Sequence, residues 1–346
     1  MFRLIILFIA SVCCSYAVSA QSSLYSDLSG DALLEKIVED YRPINVLRYS
    51  TAKDVMYAEI YNVNDSVSCV YSGHTIDLPK GIDPSVHLYS NGSSDGINAE
   101  HTYPRSKGAA EEYGNGYSDL HHLFPTRSAI NTSRDNFPFG EIEDNKATSW
   151  FYANKTLSTI PSDLIDHYSE RINGMFEPRE DHKGNVARAI FYFYTMYEEA
   201  ALDADPTFFE NQRATLCRWQ FQDPADDLEI ERTYKIASYQ DDLPNPFVLD
   251  CTLSNRTYCE EFDLACASLT TPVDDIDQAK IELYPSPVVD RLHVISEGQS
   301  HVRVFDMMGR QLKSKEFFNQ VKLDFTSLGV GTYVVVVNDR TFKIVK

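Results

Sequence analysis

Residues 269–280 (LTTPVDDIDQAK) divide this 346-residue chain into two parts with different periodicities. A Thr/Pro/Asp run of this kind buries little apolar surface and reads as a linker. Beyond it, strand-like runs recur at short intervals at 291–295 (RLHVI), 302–306 (VRVFD), 321–325 (VKLDF), 333–337 (YVVVV) and 341–346, with turns at 308–310 and 329–331. Short alternating runs between turn residues predict a small all-β, sandwich-like module over 281–346. The preceding 21–268 is long enough for its own core and mixes helical and strand signals. The fold class is therefore α+β.

Within 21–268, Leu33, Leu34, Ile37 and Val38 recur at helical spacing and predict a helix over about 30–40. The runs 55–63 (VMYAEIYNV) and 67–71 (VSCVY) predict strands joined by a turn at 62–66. The Gly/Ser/Asn/Asp-rich stretch 80–100 predicts a loop. Helices are predicted over 160–168 and 186–197. In the second, Val186, Ala187, Ile190, Phe193, Tyr194 and Tyr197 share a face, and that aromatic stripe reads as core.

Residues 1–20 carry Arg3, an apolar run from Leu4 to Cys14 and small residues up to Ala20. That pattern predicts a secretory signal peptide cleaved after Ala20. The run is too short to span a bilayer, and no later segment is apolar enough, so no stable membrane insertion is expected. After cleavage five cysteines remain: Cys69, Cys217, Cys251, Cys259 and Cys266. Exported cysteines often pair, and an odd number leaves one over. A local disulfide among Cys251, Cys259 and Cys266 is favoured over a three-thiolate zinc site, whose usual close spacings are missing.

The densest chemistry lies at 100–140. Glu100-His101 offers a hard oxygen beside an imidazole able to take a proton near neutral pH. Neighbours in a regular strand point to opposite faces, so both serve one site only where the strand ends or bends. Pro104 makes such a break plausible. Asp119, His121 and His122 suit zinc or a structural histidine pair, and Asn131 adds a neutral amide oxygen. The net charge of −20 excludes nucleic-acid binding by overall electrostatics. The 95–145 window alone holds nine Asp/Glu against Arg105, Lys107, Arg127 and Arg134. A polyanion would need local arginines and a divalent metal.

The segments 119–125 (DLHHLFP), 130–131 and 134–140 (RDNFPFG) resemble the core of the bacterial endonuclease I family, which has the His-Me finger (ββα-metal) fold. The likeness continues through 176–178, 183–189, Leu216, Trp219, 223–224, 231–232 and 245–247. The resemblance implies a secreted, non-specific, metal-dependent endonuclease acting on DNA, with RNA not distinguished, and leaving 5′-phosphates. His101 matches the general base, and Glu100 and Asn131 match the ligands of one Mg²⁺, for which Mn²⁺ or Ca²⁺ are candidate substitutes. Asp119, His121 and His122 match a block expected to orient the site. Arg105 and Arg134 are the candidate phosphate-binding catalytic arginines, with a fold-fixing role the alternative for Arg134. A monomer is expected. The alternatives to this enzyme are a binding protein that keeps the fold without activity and a zinc peptide hydrolase, though the His-Glu-x-x-His spacing is missing.

The tail residues 283–288 (LYPSPV), 304–310 (VFDMMGR), Leu328, 331–333 (GTY) and 342–346 (FKIVK) resemble the sorting domain of type IX secretion. That implies a partnership with the type IX machinery and a secreted or cell-surface location, usually with loss of the tail. A carbohydrate-binding or adhesive β-module is the alternative.

Overall fold

The computed structural model describes residues 23–262, 266, 281–284, 288, 290–306, 310–329, 331–338 and 340–346. The expected leader at 1–20, the 269–280 linker and the tail positions 285–287 and 307–309 lie outside the described residues. The chain forms two compact units that divide between Thr270 and Thr271.

In the first unit, helix α1 (Gly30–Tyr41) buries Leu33 and Ile37, two positions of the predicted apolar stripe. The strand expected over 55–63 does not form. Helix α2 (Tyr49–Val55) instead runs on into a π-helical turn at Met56–Ile60. Ala52, Met56 and Ile60 lie four residues apart and are buried in one cluster with Leu88 and Leu123. Their helical period was masked because a continuous apolar run fits a strand equally well. The turn at 62–66 does form, with Asn64 and Asp65 at positive φ. It leads into strand β1 (Ser66–Ser68), which pairs antiparallel with β2 (Thr75–Asp77). The stretch expected to be loop holds helix α3 (Pro84–Tyr89), where the Val86 amide donates to Asp83 at 2.9 Å and Pro84 opens the helix.

Strand β3 (Ile97–His101) pairs antiparallel with β4 (Leu123–Arg127), setting Glu100 opposite Phe124 and His101 opposite Leu123. Helix α4 (Ser128–Arg134) follows β4 directly. Strands β5 (Ser149–Tyr152), β6 (Lys155–Leu157), β7 (Ser169–Ile172) and β8 (Met175–Glu177) form a separate antiparallel sheet in the order β6-β5-β7-β8. The helix expected over 160–168 shrinks to a single 3₁₀ turn at Ile165–His167. Ile160 and Leu164 stay exposed there, so no packing supports a longer helix.

Helix α5 (Lys183–Met196) runs through the core and is buried on nearly every side, as its aromatic content suggested. Around it lie α6 (Glu198–Ala204), α7 (Glu210–Gln222), α8 (Asp227–Ala237), α9 (Pro246–Leu249) and α10 (Thr252–Thr257). The downstream sequence blocks are the ties between these helices. Arg188 on α5 makes a buried bidentate pair with Glu229 on α8 and donates to the Asp223 carbonyl at 2.8 Å. Gly184 lies so close to that carbonyl that a Cβ would meet it at 1.8 Å. Asn245 caps α9 and donates to the Arg188 carbonyl at 3.2 Å.

Cys217 pairs with Cys259 and Cys251 with Cys266, leaving Cys69 as a buried thiol. The local disulfide is thus the second pair, while Cys259 reaches 42 residues back to α7. These pairings consume the three sulfurs considered for zinc.

Among its described residues the second unit holds only β-strands and their connections. Strands β9 (Glu282–Tyr284), β10 (Arg291–Asp306), β11 (Gln311–Asp324), β12 (Thr332–Val337) and β13 (Arg340–Val345) make one antiparallel sheet, ordered β11-β10-β12-β13 with β9 beside β10. The expected sandwich-like layering therefore takes the form of a single sheet. The runs 291–295 and 302–306 belong to one long strand with a register shift between Ile295 and Gln299. Alternate residues Leu292, Val294, Val302 and Val304 are buried. Among the described residues no helix is long and apolar enough to cross a membrane.

Candidate active site

The β3–β4–α4 unit sets its chemistry at the open end of β3, where the strand stops at His101. A pocket of about 890 Å³ is lined there by Glu100, His101, Arg105, Asn131 and Arg134 among others. Five of the residues singled out in the sequence thus share one cavity. The strand end resolves the facing problem, because Glu100 and His101 both line the pocket despite being neighbours.

His101 is 6 % exposed. Its Nε2 lies 2.9 Å from the Tyr117 carbonyl oxygen. A carbonyl only accepts, so Nε2 must carry the proton in that bond and Nδ1 holds the lone pair. Among the described residues Nδ1 has no hydrogen-bond partner. The ring stacks on Tyr117 at 5.5 Å and meets Tyr49 and His122 at the same centroid distance. Burial, then the neighbouring His122, push its pKa down to about 3, so the imidazole is neutral at physiological pH.

Glu100 is 2 % exposed, and its Oε1 takes no hydrogen bond. Burial raises its pKa to about 7, while Arg134 acts the other way. The Asn131 amide donates to Asn98 Oδ1 at 2.7 Å and to the Ala99 carbonyl at 3.2 Å. Both of its donor hydrogens are thereby engaged on β3, which leaves Oδ1 as the uncommitted atom. A carboxylate oxygen that makes no hydrogen bond, though it faces Arg134 at 3.3 Å, and a free amide oxygen form a hard donor pair suited to a divalent cation. No group of three or more His, Cys, Asp or Glu that could hold a metal occurs among the described residues. Any ion here would keep several open coordination positions.

The two arginines differ. Arg134 is 1 % exposed, donates to the carbonyls of His101 and Thr102 at 3.3 and 2.7 Å, and pairs with Glu100 at 3.3 Å. It clamps the end of β3 and holds the Glu100 carboxylate. Arg105 is exposed at the pocket rim, its guanidinium 5.1 Å from the Tyr117 ring centre.

Asp119, His121 and His122 line no part of the pocket and pack behind it. Asp119 accepts from the His121 amide, Tyr192, Tyr197 and Gln240 at 2.7–3.0 Å. His121 bonds the Leu243 carbonyl and His122 that of Gly116. Burial lowers the pKa of both rings, to about 4 for His122. Two residues passed over in the sequence now matter. Asn98 orients Asn131, and its position two residues before Glu100 was the available clue. Tyr117 orients His101 through its backbone, which no side-chain pattern reveals.

Residues 31–251 match the family model described as Endonuclease I, and β3, β4, α4 and the pocket all lie within that span. The chain belongs to the endonuclease I family. Residues 282–346 of the same chain match the secretion system C-terminal sorting domain. The protein is accordingly a secreted one, extracellular or at the cell surface. It is similar to the extracellular ribonuclease of Bacillus subtilis (strain 168), 27 % identical over 213 residues, 56 % of this chain and 65 % of that protein. The extracellular ribonuclease of Bacillus amyloliquefaciens is 30 % identical over 171 residues, 46 % of this chain and 53 % of its own length. The extracellular deoxyribonuclease of Aeromonas hydrophila is 28 % identical over 141 residues, 41 % of this chain and 53 % of its own. The chain spans less than two thirds of the length of each of these relatives.

Proposed function

We propose that this endonuclease I hydrolyses phosphodiester bonds of DNA and RNA outside the cell, through a His-Me finger site with His101 as general base. Glu100 and Asn131 would hold one Mg²⁺. One observation carries the reading. A neutral His101, locked by the Tyr117 carbonyl, shares a pocket with the Glu100 carboxylate, whose Oε1 makes no hydrogen bond and faces Arg134, and with the free Asn131 Oδ1.

His101 Nδ1 takes the proton of a water aligned with phosphorus, and Tyr117 keeps the ring in the tautomer that allows it. A divalent cation, when bound, supplies positive charge for the phosphoryl oxygens and the departing 3′ oxygen. Arg134 positions Glu100, and Arg105 at the rim contacts phosphate. Cleavage then leaves 5′-phosphates. The pocket also holds Glu112, Asp135 and Asp203, so its two arginines are outnumbered and the cation is needed to admit a polyanion. Chemistry at phosphate and sugar reads no base, so little sequence preference is expected. The relatives, two extracellular ribonucleases and an extracellular deoxyribonuclease, support a substrate class wider than one sugar. All proposed site residues come from one chain, so a monomer suffices, its catalytic part over 21–268 joined by 269–280 to a sorting tail that is removed on export.

Incubation with plasmid DNA, and separately with RNA, tests this. With Mg²⁺ both are degraded, and the DNA fragments resist 5′-end labelling by a kinase until treated with phosphatase. EDTA stops both reactions. Undiminished cleavage in EDTA would overturn the metal assignment.

Metal affinity should also depend on pH. With its pKa raised to about 7, the Glu100 carboxyl must release a proton to become a ligand below that pH. Titration calorimetry should show Mg²⁺ affinity rising about tenfold per pH unit between about pH 5 and 7, then levelling off. A flat profile across that window would exclude Glu100 as the titrating ligand.

A further inference from the structure

The pocket shares lining residues with two further cavities, and the two differ in charge. Tyr49 and Ala99 are shared with a cavity of about 440 Å³, within the range of about 300–1,000 Å³ typical of small-ligand sites. Its lining includes Lys53 on α2 and Tyr89 at the end of α3. Tyr89 is 52 % exposed. The Lys53 ammonium lies 5.2 Å from the Tyr49 ring centre and makes no ion pair among the described residues. The nearby Asp54 carboxylate is engaged by the Ser85 hydroxyl at 2.5 Å.

Tyr113 and Asp203 are shared with another cavity, of about 380 Å³, that also presents Glu198 and Glu199. Its one lining cation, Arg42, lies over the Tyr197 ring at 5.6 Å.

Single-stranded nucleic acid is held by cations that track its phosphates and by rings on which its bases stack. The Lys53/Tyr89 cavity has both features and no carboxylate in its lining, whereas in the other cavity Arg42 and the rings of Tyr113 and Tyr197 sit among Glu198, Glu199 and Asp203. We infer that the Tyr49–Lys53–Tyr89 cavity is a subsite for a nucleotide flanking the scissile phosphate, so that the enzyme grips its substrate on one side of the cut. Lys53 contacts the flanking phosphate and the Tyr89 ring takes the base. The acidic cavity gives the opposite product no grip. This inference rests on the nuclease reading above.

The test uses a fluorescent single-stranded decanucleotide and the full chain. In the wild type, binding is measured by anisotropy in EDTA and cleavage in Mg²⁺. The Lys53→Ala/Tyr89→Ala variant should raise KM and the EDTA dissociation constant about tenfold or more, lower kcat less than threefold, and reduce the salt dependence of binding by about one phosphate. Tyr89→Phe, which keeps the ring, should bind within about twofold of wild type, whereas Tyr89→Leu should not. Unchanged KM, dissociation constant and salt slope in the double variant of a cleaving enzyme would overturn the subsite and leave the nuclease reading standing. Absence of wild-type cleavage in Mg²⁺ would overturn the nuclease reading, while the binding measurement in EDTA would still decide the subsite.

Discussion

Replacing His101 by Ala should lower kcat for plasmid cleavage by about 10²–10⁴-fold, the usual worth of a positioned proton acceptor. The argument is geometric before it is electrostatic. The Nε2 proton is committed to Tyr117 at 2.9 Å, which makes Nδ1 the only lone pair this ring can offer the pocket. Burial then keeps the ring unprotonated at neutral pH. Glu100 and Asn131 are held by Arg134 and Asn98 rather than by the imidazole, so Mg²⁺ affinity should stay within about threefold of wild type. Loss of the ring leaves a gap beside Tyr49, Tyr117 and His122, so added imidazole should restore part of the rate. Circular dichroism and calorimetry separate a dead site from an unfolded one. A folded His101→Ala protein with near-normal cleavage would sink the assignment.

Arg188→Met should cost about 3–5 kcal/mol of stability, the range for removing one partner of a buried ion pair. Arg188 and Glu229 are both fully buried and meet through a bidentate contact that ties α5 to α8. The variant strands the Glu229 carboxylate, left with Arg232 at 3.2 Å, and deprives the Asp223 carbonyl of a donor. At about 2–4 °C per kcal/mol for a domain of this size, the melting temperature should fall by about 10 °C. Replacing Glu229 as well, by Leu, should recover part of the loss, because the buried charge goes with it. A single variant that melts within about 2 °C of wild type would show that the pair contributes no net stability.

The sequence and the structure agree best where one cause dominates. Helix α1 and helix α5 follow from apolar spacing, and the tail strands from alternation between turns. They disagree where local pattern underdetermines the outcome. The run at 55–63 became helical because Ala52, Met56 and Ile60 found a shared core with Leu88 and Leu123. The run at 160–168 found none and stayed irregular. Cysteine count forced a leftover thiol, but the pairing of Cys217 with Cys259 depends on how α7 packs.

In the site, residue types pointed to Glu100, His101 and Asn131 as a proton acceptor and hard oxygens, and the family resemblance assigned their roles and added Arg105 and Arg134 as phosphate-binding candidates. Asp119, His121 and His122 suited zinc or a structural pair by residue type, and the resemblance gave them an orienting role. The fold turns the first five toward a cavity and buries the other three behind it on backbone carbonyls and tyrosine hydroxyls. Sequence by itself determined the two-part organisation, which lies in composition and local period, and the family and chemical inventory, which lie in motifs and residue identities. Tertiary structure decided which groups are solvated, which hydrogens are already engaged and which oxygens remain free. Those properties depend on neighbours distant in the chain, such as the Tyr117 carbonyl and Asn98, whose placement no local pattern encodes.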